Sequence, residues 1–465
     1  MGPCSERGVA SILSRLVFAA ILTAGACAAS VPAQAPPTVR TAEGAVRGTT
    51  GGGVIAFKGI PFAAPPVGPL RWRAPQPVAR WPAVRDATRY AADCMQLPFP
   101  SDAAPLGTAP AEDCLYANVW RPAGARRKLP VMVWIYGGGF VNGGSSPPTY
   151  SGAELARQDI VVVSFNYRLG RFGSFAHPRL DGGGQVDFGL LDQIAALRWV
   201  KRNIAAFGGD PDAVTIIGES AGGMSVHAML TSPAARGLFH RAVVQSGGNA
   251  SSNGASVETA KVAGIAFAQS KGIAPDDPGA GAKLRALAPE QVVDGLNLAT
   301  LGDRRAYSGP VPDGTTFVDS LAAYRANRFA HVPVMIGATS DDIGGPGGVM
   351  IAGAREVAGL LSKQKVPVYY YRFDYVAASA RRPETEGAGH ATDIPFFFDT
   401  AAIKYGDRTA PADRLAARTM SRYLVNFVKT GDPNHAGAPA WGRYTGTDRQ
   451  MLTLTSAGTA AVAPE

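Results

Sequence analysis

Cysteine is scarce in this chain of 465 residues, which has four. Cys4 and Cys27 lie in or beside an apolar N-terminal segment, leaving Cys94 and Cys114 for the remainder. No other cysteine and no nearby histidine completes a ligand set around that pair, which argues against a metal centre. In an oxidising compartment the two would close a loop of about twenty residues, worth roughly 3 kcal/mol in the loop-entropy model. Two free buried thiols are the alternative. Charge is sparse as well, at 17% of residues, and the net +9 is spread along the sequence without a basic tail. That indicates a basic surface and argues against a nucleic-acid partner. Long apolar runs are missing: Leu16 to Leu22 is too short to serve as a membrane anchor. No internal repeat is visible, so a repeat array is excluded.

What the chain does have is length and 46% hydrophobic residues, enough to bury a large core. Residues 1–33 read as an export signal, with Arg7 and Arg15 ahead of the apolar segment and small residues through Ala35. Cleavage is expected after Ala28 or Ala33, because Pro36 hinders processing after Ala35. Cys27 does not mark a lipoprotein, since Ala24 rather than leucine stands three residues before it. The expected location is periplasmic or secreted. Length alone suggests about three domains, yet the signals from residue 36 to 465 run on without a linker, so one domain is expected there.

The organising stretch is Val214 to Leu230. An apolar β-branched run, Val214–Ile217, is cut by Gly218-Glu219-Ser220-Ala221-Gly222, and a small-residue helical segment follows. This is G-x-S-x-G between strand and helix, the context in which the motif carries meaning. It makes Ser220 the candidate nucleophile, with the Ala221 N–H at the helix start free to meet an oxyanion. By itself the pentapeptide is also a pattern that arises by chance in a Gly-rich chain. Val131–Tyr136 is a buried-strand pattern running into Gly137-Gly138-Gly139-Phe140. A glycine triplet after a strand leaves backbone N–H groups unobstructed, as an oxyanion hole requires, and a bare turn is the alternative reading.

Elsewhere, Val39–Arg47 and Val54–Ile60 read as an antiparallel hairpin joined through Gly51–Gly53. Strands are expected at Ile160–Phe165, Ala242–Gln245, Val332–Ala338, Val366–Phe373 and Met451–Leu454, and helices at Leu190–Phe207 and Leu415–Val428. Strands alternating with helices imply an α/β fold, a mostly parallel twisted sheet with helices on both faces and the antiparallel hairpin at its N-terminal side. Active sites of such sheets lie at the carboxyl ends of strands, where Gly137 and Ser220 fall. From about Ser256 to Asn327 the pattern is weakly helical and no function is visible.

Taken together the motifs resemble those of the type-B carboxylesterases, the cholinesterase-like branch of the α/β-hydrolases. The segments that carry the resemblance are Gly59–Pro77, Glu112–Trp120 (EDCLYANVW), Trp134–Phe140 (WIYGGGF), Asn166–Gly173 (NYRLGRFG), Phe188–Gln193 (FGLLDQ), Phe207–Pro211 (FGGDP), Gly218–Gly223 (GESAGG) and Gln245–Gly247 (QSG). The resemblance implies the α/β-hydrolase fold, a Cys94–Cys114 disulfide, and oxyanion N–H groups from Gly138, Gly139 and Ala221. It also implies that Glu219 and Ser246 stand beside the catalytic groups.

A serine hydrolase needs a histidine base and an orienting acid. His227 lies two turns past Ser220 and points away, His240 and His331 enter strands at the far edge, and His177 and His435 sit in Pro-containing loops. His390, in the glycine-bracketed Gly387–Phe398, resembles the family's histidine loop and leaves room for an acid between it and Ser220. In the family that acid is usually a glutamate; here Ile336–Ile343 reads IGATSDDI, which puts Asp342 at the position. Being one methylene shorter, it requires a closer approach of the two loops. Asp341 should face the other way, and Asp393 reads as a loop-stabilising side chain. Asp187 stands where the family commonly has asparagine, with no account from sequence. The stretch from Asp342 to the Val366 strand is short for the family, which implies a more open site.

The expected activity is carboxylic-ester hydrolysis through an acyl-enzyme, using a small-molecule ester and water, with no cofactor, metal or stable membrane anchor. The competing readings are an inactive cholinesterase-like binding protein and a hydrolase of amides, carbamates or lactones.

Overall fold

The computed structural model describes residues 36–99, 102, 104–180, 184–249, 251–302 and 307–465; the expected export signal lies outside them. The strands in chain order are β1 (Thr38–Arg40), β2 (Ala45–Arg47), β3 (Thr49–Gly51), β4 (Val54–Pro61), β5 (Arg85–Asp86), β6 (Tyr116–Pro122) and β7 (Leu129–Ile135). They continue with β8 (Val161–Phe165), β9 (Gly209–Glu219), β10 (Arg241–Gln245), β11 (Val334–Thr339), β12 (Val368–Phe373), β13 (Gln450–Leu454) and β14 (Ala460–Pro464). Among the described residues eleven of them form one sheet in the order β14-β13-β12-β11-β10-β9-β7-β8-β6-β4-β3. From β8 to β13 every neighbouring pair is parallel, while β13/β14 at one side and β8/β6/β4/β3 at the other are antiparallel.

Valine and isoleucine dominate the middle strands because their branched side chains suit a pleated surface buried on both sides. β8 and β11 are buried at every position. Since successive side chains point to opposite faces, such strands must be covered above and below. The fold is therefore the expected α/β-hydrolase arrangement, and Pro36–Glu465 form one compact unit.

One expectation needs correction. Val39–Arg47 is not a single strand of a hairpin with Val54–Ile60. It is itself a hairpin, β1 against β2, in a separate three-stranded sheet with β5. The Thr41 hydroxyl breaks the strand by accepting from Glu43 N–H and Gly44 N–H, a side-chain turn that competes with sheet pairing. The Gly52–Gly53 turn instead joins β3 to β4.

Several motif residues are scaffold. The Arg168 guanidinium donates to both carboxylate oxygens of Asp192 at 2.8 Å, with both side chains buried. Arg71 likewise holds Glu112 at 2.5 Å and donates to Leu287 O at 2.7 Å. Asp187, whose role was unassigned, starts the helix Phe188–Asn203 but turns its carboxylate elsewhere. It accepts from Val311 N–H (3.2 Å) and Ser174 Oγ (3.3 Å). Burial pushes its pKa well up. Cys94 and Cys114 form a disulfide.

Candidate active site

β9 passes into the helix Ala221–Thr231 through one residue, Ser220, at φ 55° and ψ −122°. A non-glycine residue in that region costs roughly 1–3 kcal/mol and must be held by its surroundings. The Ser220 N–H donates to Gln245 O, and the Ser220 carbonyl accepts from Met224 N–H, both at 2.9 Å. The turn also needs the helix to sit against the end of β7: a Cβ on Gly222 would lie 2.1 Å from Ile135 O. Only glycine permits that approach.

His390 reaches Ser220 from the far side of the cleft. The Ser220 hydroxyl donates to His390 Nε2 at 2.9 Å, and His390 Nδ1–H donates to Asp342 Oδ1 at 2.6 Å. The shorter acid reaches because its loop is stitched to the histidine loop. Asp341 N–H donates to Ala388 O, and Ala388 N–H to Ser340 Oγ, both at 2.9 Å. Asp341 points outward and is exposed. Ser246 Oγ donates to Asp342 Oδ2 at 2.6 Å. Glu219 Oε1 lies 3.3 Å from His390 Nε2. Asp393 is buried and accepts from Gln245 Nε2 at 3.1 Å.

Electrostatics follow from this crowding of acids around one imidazole. Burial acts to lower the His390 pKa, but the hydrogen bond to Asp342 and the charges of Glu219, Asp342 and Asp393 outweigh it and raise it to about 9. Burial acts upward on Asp342, yet the bonds and charge of His390 and the Ser246 hydroxyl bring it to about 2. Burial pushes Glu219 up to about 8 and Asp393 to about 7.

The remaining histidines lie away from Ser220. His227 is buried against Tyr324 Oη (2.8 Å), His240 Nδ1 accepts from Val214 N–H, His177 Nδ1 from Arg179 N–H, His331 is exposed, and His435 is half-buried against the Tyr423 ring.

Gly138, Gly139 and Ala221 line the same cavity as Ser220 and His390, and among the described residues none of their N–H groups is engaged in a hydrogen bond. Gly138 sits at φ +106°. Three uncommitted amides beside a serine hydroxyl are what a developing oxyanion requires. The cavity holds about 410 Å³ and is walled by Phe99, Tyr150, Leu298, Leu301, Met350 and Tyr405. A second chamber of about 320 Å³ shares Gly139, Met224 and Leu301 with it. Leu298 and Leu301 come from the stretch where no function was visible. Met350 belongs to the helix Val349–Lys363, in the short stretch between Asp342 and β12. Sequence reasoning missed these walls, and the only signal for them was apolar residues in weakly patterned segments. Among the described residues no group of three or more His, Cys, Asp or Glu is placed to hold a metal ion, and no helix is long and apolar enough to cross a membrane.

A model of the carboxylesterase family matches residues 35–346 and 348–463. The chain is 35% identical over 486 residues to the para-nitrobenzyl esterase of Bacillus subtilis (strain 168), covering 92% of this chain and 96% of the relative. It is 35% identical over 489 residues to the fumonisin B1 esterase of Sphingopyxis macrogoltabida, with 90% and 87% covered. A solved PNB esterase superposes with a TM-score of 0.82 at 31% identity, covering 92% of this chain and 96% of that one.

Proposed function

Because the chain belongs to the carboxylesterase family and is a carboxylic ester hydrolase, we propose that it works by acyl transfer through Ser220, with His390 as base and Asp342 as its orienting acid. The supporting observation is the unbroken relay from hydroxyl to Nε2 and from Nδ1 to carboxylate, at 2.9 and 2.6 Å. Ser220 Oγ attacks the ester carbon while its proton passes to His390 Nε2. The carbonyl π-electrons move onto oxygen, held by the N–H groups of Gly138, Gly139 and Ala221. Each such donor is typically worth ~2.7–4 kcal/mol in the transition state. The C–O bond to the alcohol then breaks and His390 returns the proton to the leaving oxygen. Water adds to the acyl-enzyme by the same relay and releases the acid. Asp342 keeps the Nδ1 proton in place and stabilises the imidazolium.

The largely apolar walls favour esters with a sizeable apolar or aryl portion. This agrees with a relative named for a para-nitrobenzyl ester. The N-terminal signal pattern supports export to the periplasm or medium, which cell fractionation tests. The mechanism is tested with wild type, Ser220→Ala and His390→Ala on a short-chain nitrophenyl ester, with fluorophosphonate labelling of Ser220. Equal turnover by all three overturns the assignment.

A further inference from the structure

Gly137 to Ser146 has no regular secondary structure to aim its amides, so something else must hold it. The Gln96 carboxamide grips it from the Cys94–Cys114 loop. Its Oε1 accepts from Gly143 N–H (2.9 Å) and from Asn142 Nδ2 (3.1 Å). Its Nε2 donates to Gly143 O (2.7 Å) and to Cys94 O (2.9 Å). Gln96 thus pairs with both backbone groups of Gly143, as a neighbouring strand would. Asn142 Nδ2 adds a bond to Leu97 O at 2.8 Å. Gln96 and Asn142 are both buried.

The grip is transmitted to the oxyanion donors through one peptide plane. Gly138 O accepts from Asn142 N–H (2.9 Å) and Val141 N–H (3.1 Å). The Gly138 carbonyl and the Gly139 N–H belong to the same planar trans peptide and point in opposite directions. Fixing that carbonyl on Asn142 therefore fixes where the Gly139 N–H points. We propose that Gln96 is a positioning residue for the oxyanion hole, holding Asn142–Gly143 so that the Gly138–Gly139 peptide presents its N–H to the reacting oxygen.

The inference rests on the proposed acyl-transfer mechanism at Ser220, which the labelling of Ser220 tests separately. Gln96→Met keeps length and loses all four bonds, whereas Gln96→Asn keeps the carboxamide one methylene short. Turnover is expressed per fluorophosphonate-labelled serine, so that unfolded protein does not count. Gln96→Met is expected to lower kcat about 10- to 100-fold, less than complete loss of a donor, with KM within threefold. Its Ki for a trifluoromethyl ketone, which forms a tetrahedral oxyanion on the serine, should rise in parallel. If Gln96→Met does not fold, Gln96→Asn carries the test with the same signature. A purely structural role would lower Tm while leaving kcat per labelled serine and the ketone Ki within threefold of wild type, and that result overturns the proposal.

Discussion

Replacing Asp342 by asparagine tests the proposed relay at its least obvious member. The carboxylate accepts four bonds: Oδ1 from His390 Nδ1–H (2.6 Å) and Ile343 N–H (2.8 Å), Oδ2 from Ser246 Oγ (2.6 Å) and Thr339 N–H (3.1 Å). Four converging donors suit a group that only accepts. An asparagine must turn its NH2 toward one of the two pairs. Toward His390 it would oppose the Ile343 amide and force the imidazole proton onto Nε2, removing the base. Toward Ser246 it opposes the longer Thr339 contact, and the hydroxyl can rotate to accept, so this orientation is expected. The tautomer then survives, but the negative charge facing the imidazolium does not. Unit charges ~4 Å apart at an effective dielectric of ~20 interact by about 4 kcal/mol, which is roughly a 10³-fold loss in kcat. Steady-state kinetics on a nitrophenyl ester, normalised to labelled serine, reads this directly. Ser246→Ala keeps the charge and should cost no more than about tenfold, the ~1 kcal/mol scale of one hydrogen bond. Asp341→Asn should cost nothing. If Asp342→Asn stays within tenfold of wild type while Asp393→Asn falls a thousandfold, the acid has been misassigned.

Because neighbouring acids raise His390 and only the neutral imidazole accepts the serine proton, kcat/KM should climb with pH into the alkaline range. Glu219→Gln should move that limb to lower pH, and a limb that stays put or moves up contradicts the electrostatic reading. A Cβ on Gly387 would lie 2.6 Å from Ser340 Oγ and 3.1 Å from Asp341 Cβ. Gly387→Ala is therefore expected to pry the acid and histidine loops apart and lower kcat by about 10- to 100-fold, since ~1 Å misplacements cost on that order; unchanged kinetics would show that the stitching is dispensable. Asp187 has a folded pKa raised above its unfolded value, so the folded state holds the proton more tightly and stability falls as pH rises above the unfolded pKa. Asp187→Asn should accordingly raise Tm near neutral pH, with the gain vanishing toward pH ~4; a loss of Tm at both pH values refutes it.

The serine turn was legible because backbone geometry there tolerates few residue types, so Gly218, Ser220 and Gly222 announce it. His390 stood out by elimination, by its glycine bracket and by its resemblance to the family's histidine loop, and the structure brings it to 2.9 Å from the Ser220 hydroxyl. The N-terminal hairpin was misread because alternation in Val39–Arg47 looked continuous, although the turn signal at Thr41–Gly44 was in plain view. β14 was missed because Ala460–Pro464 is small and weakly strand-forming, and gains its place by pairing with β13. Gln96 was invisible because a lone glutamine carries no periodicity. Two of its four bonds go to the backbone of Gly143, 47 residues away in the chain.

That contrast explains why fold could be read and substrate could not. Losing one member of a buried pair such as Arg168–Asp192 strands a charge, at a cost of about 3–5 kcal/mol. Much of a marginal stability of ~5–15 kcal/mol would go with it. Such positions admit few residues, and the motif is the visible trace of that restriction. A cavity wall obeys a looser rule. Exchanging Leu301 or Met350 for another apolar side chain of similar volume typically costs under ~1.5 kcal/mol, yet it redraws the space in which an acyl or alcohol group must fit. The residues that choose the ester are therefore the ones that folding constrains least, and they sit on segments such as Leu298–Leu301 whose sequence carries only a weak helical pattern. Varying Leu301 and Met224, which front both chambers, should change the preferred chain length of the ester while leaving Tm and the Ser220 labelling rate close to wild type. A shift in stability with no shift in preference would place these side chains in the core instead.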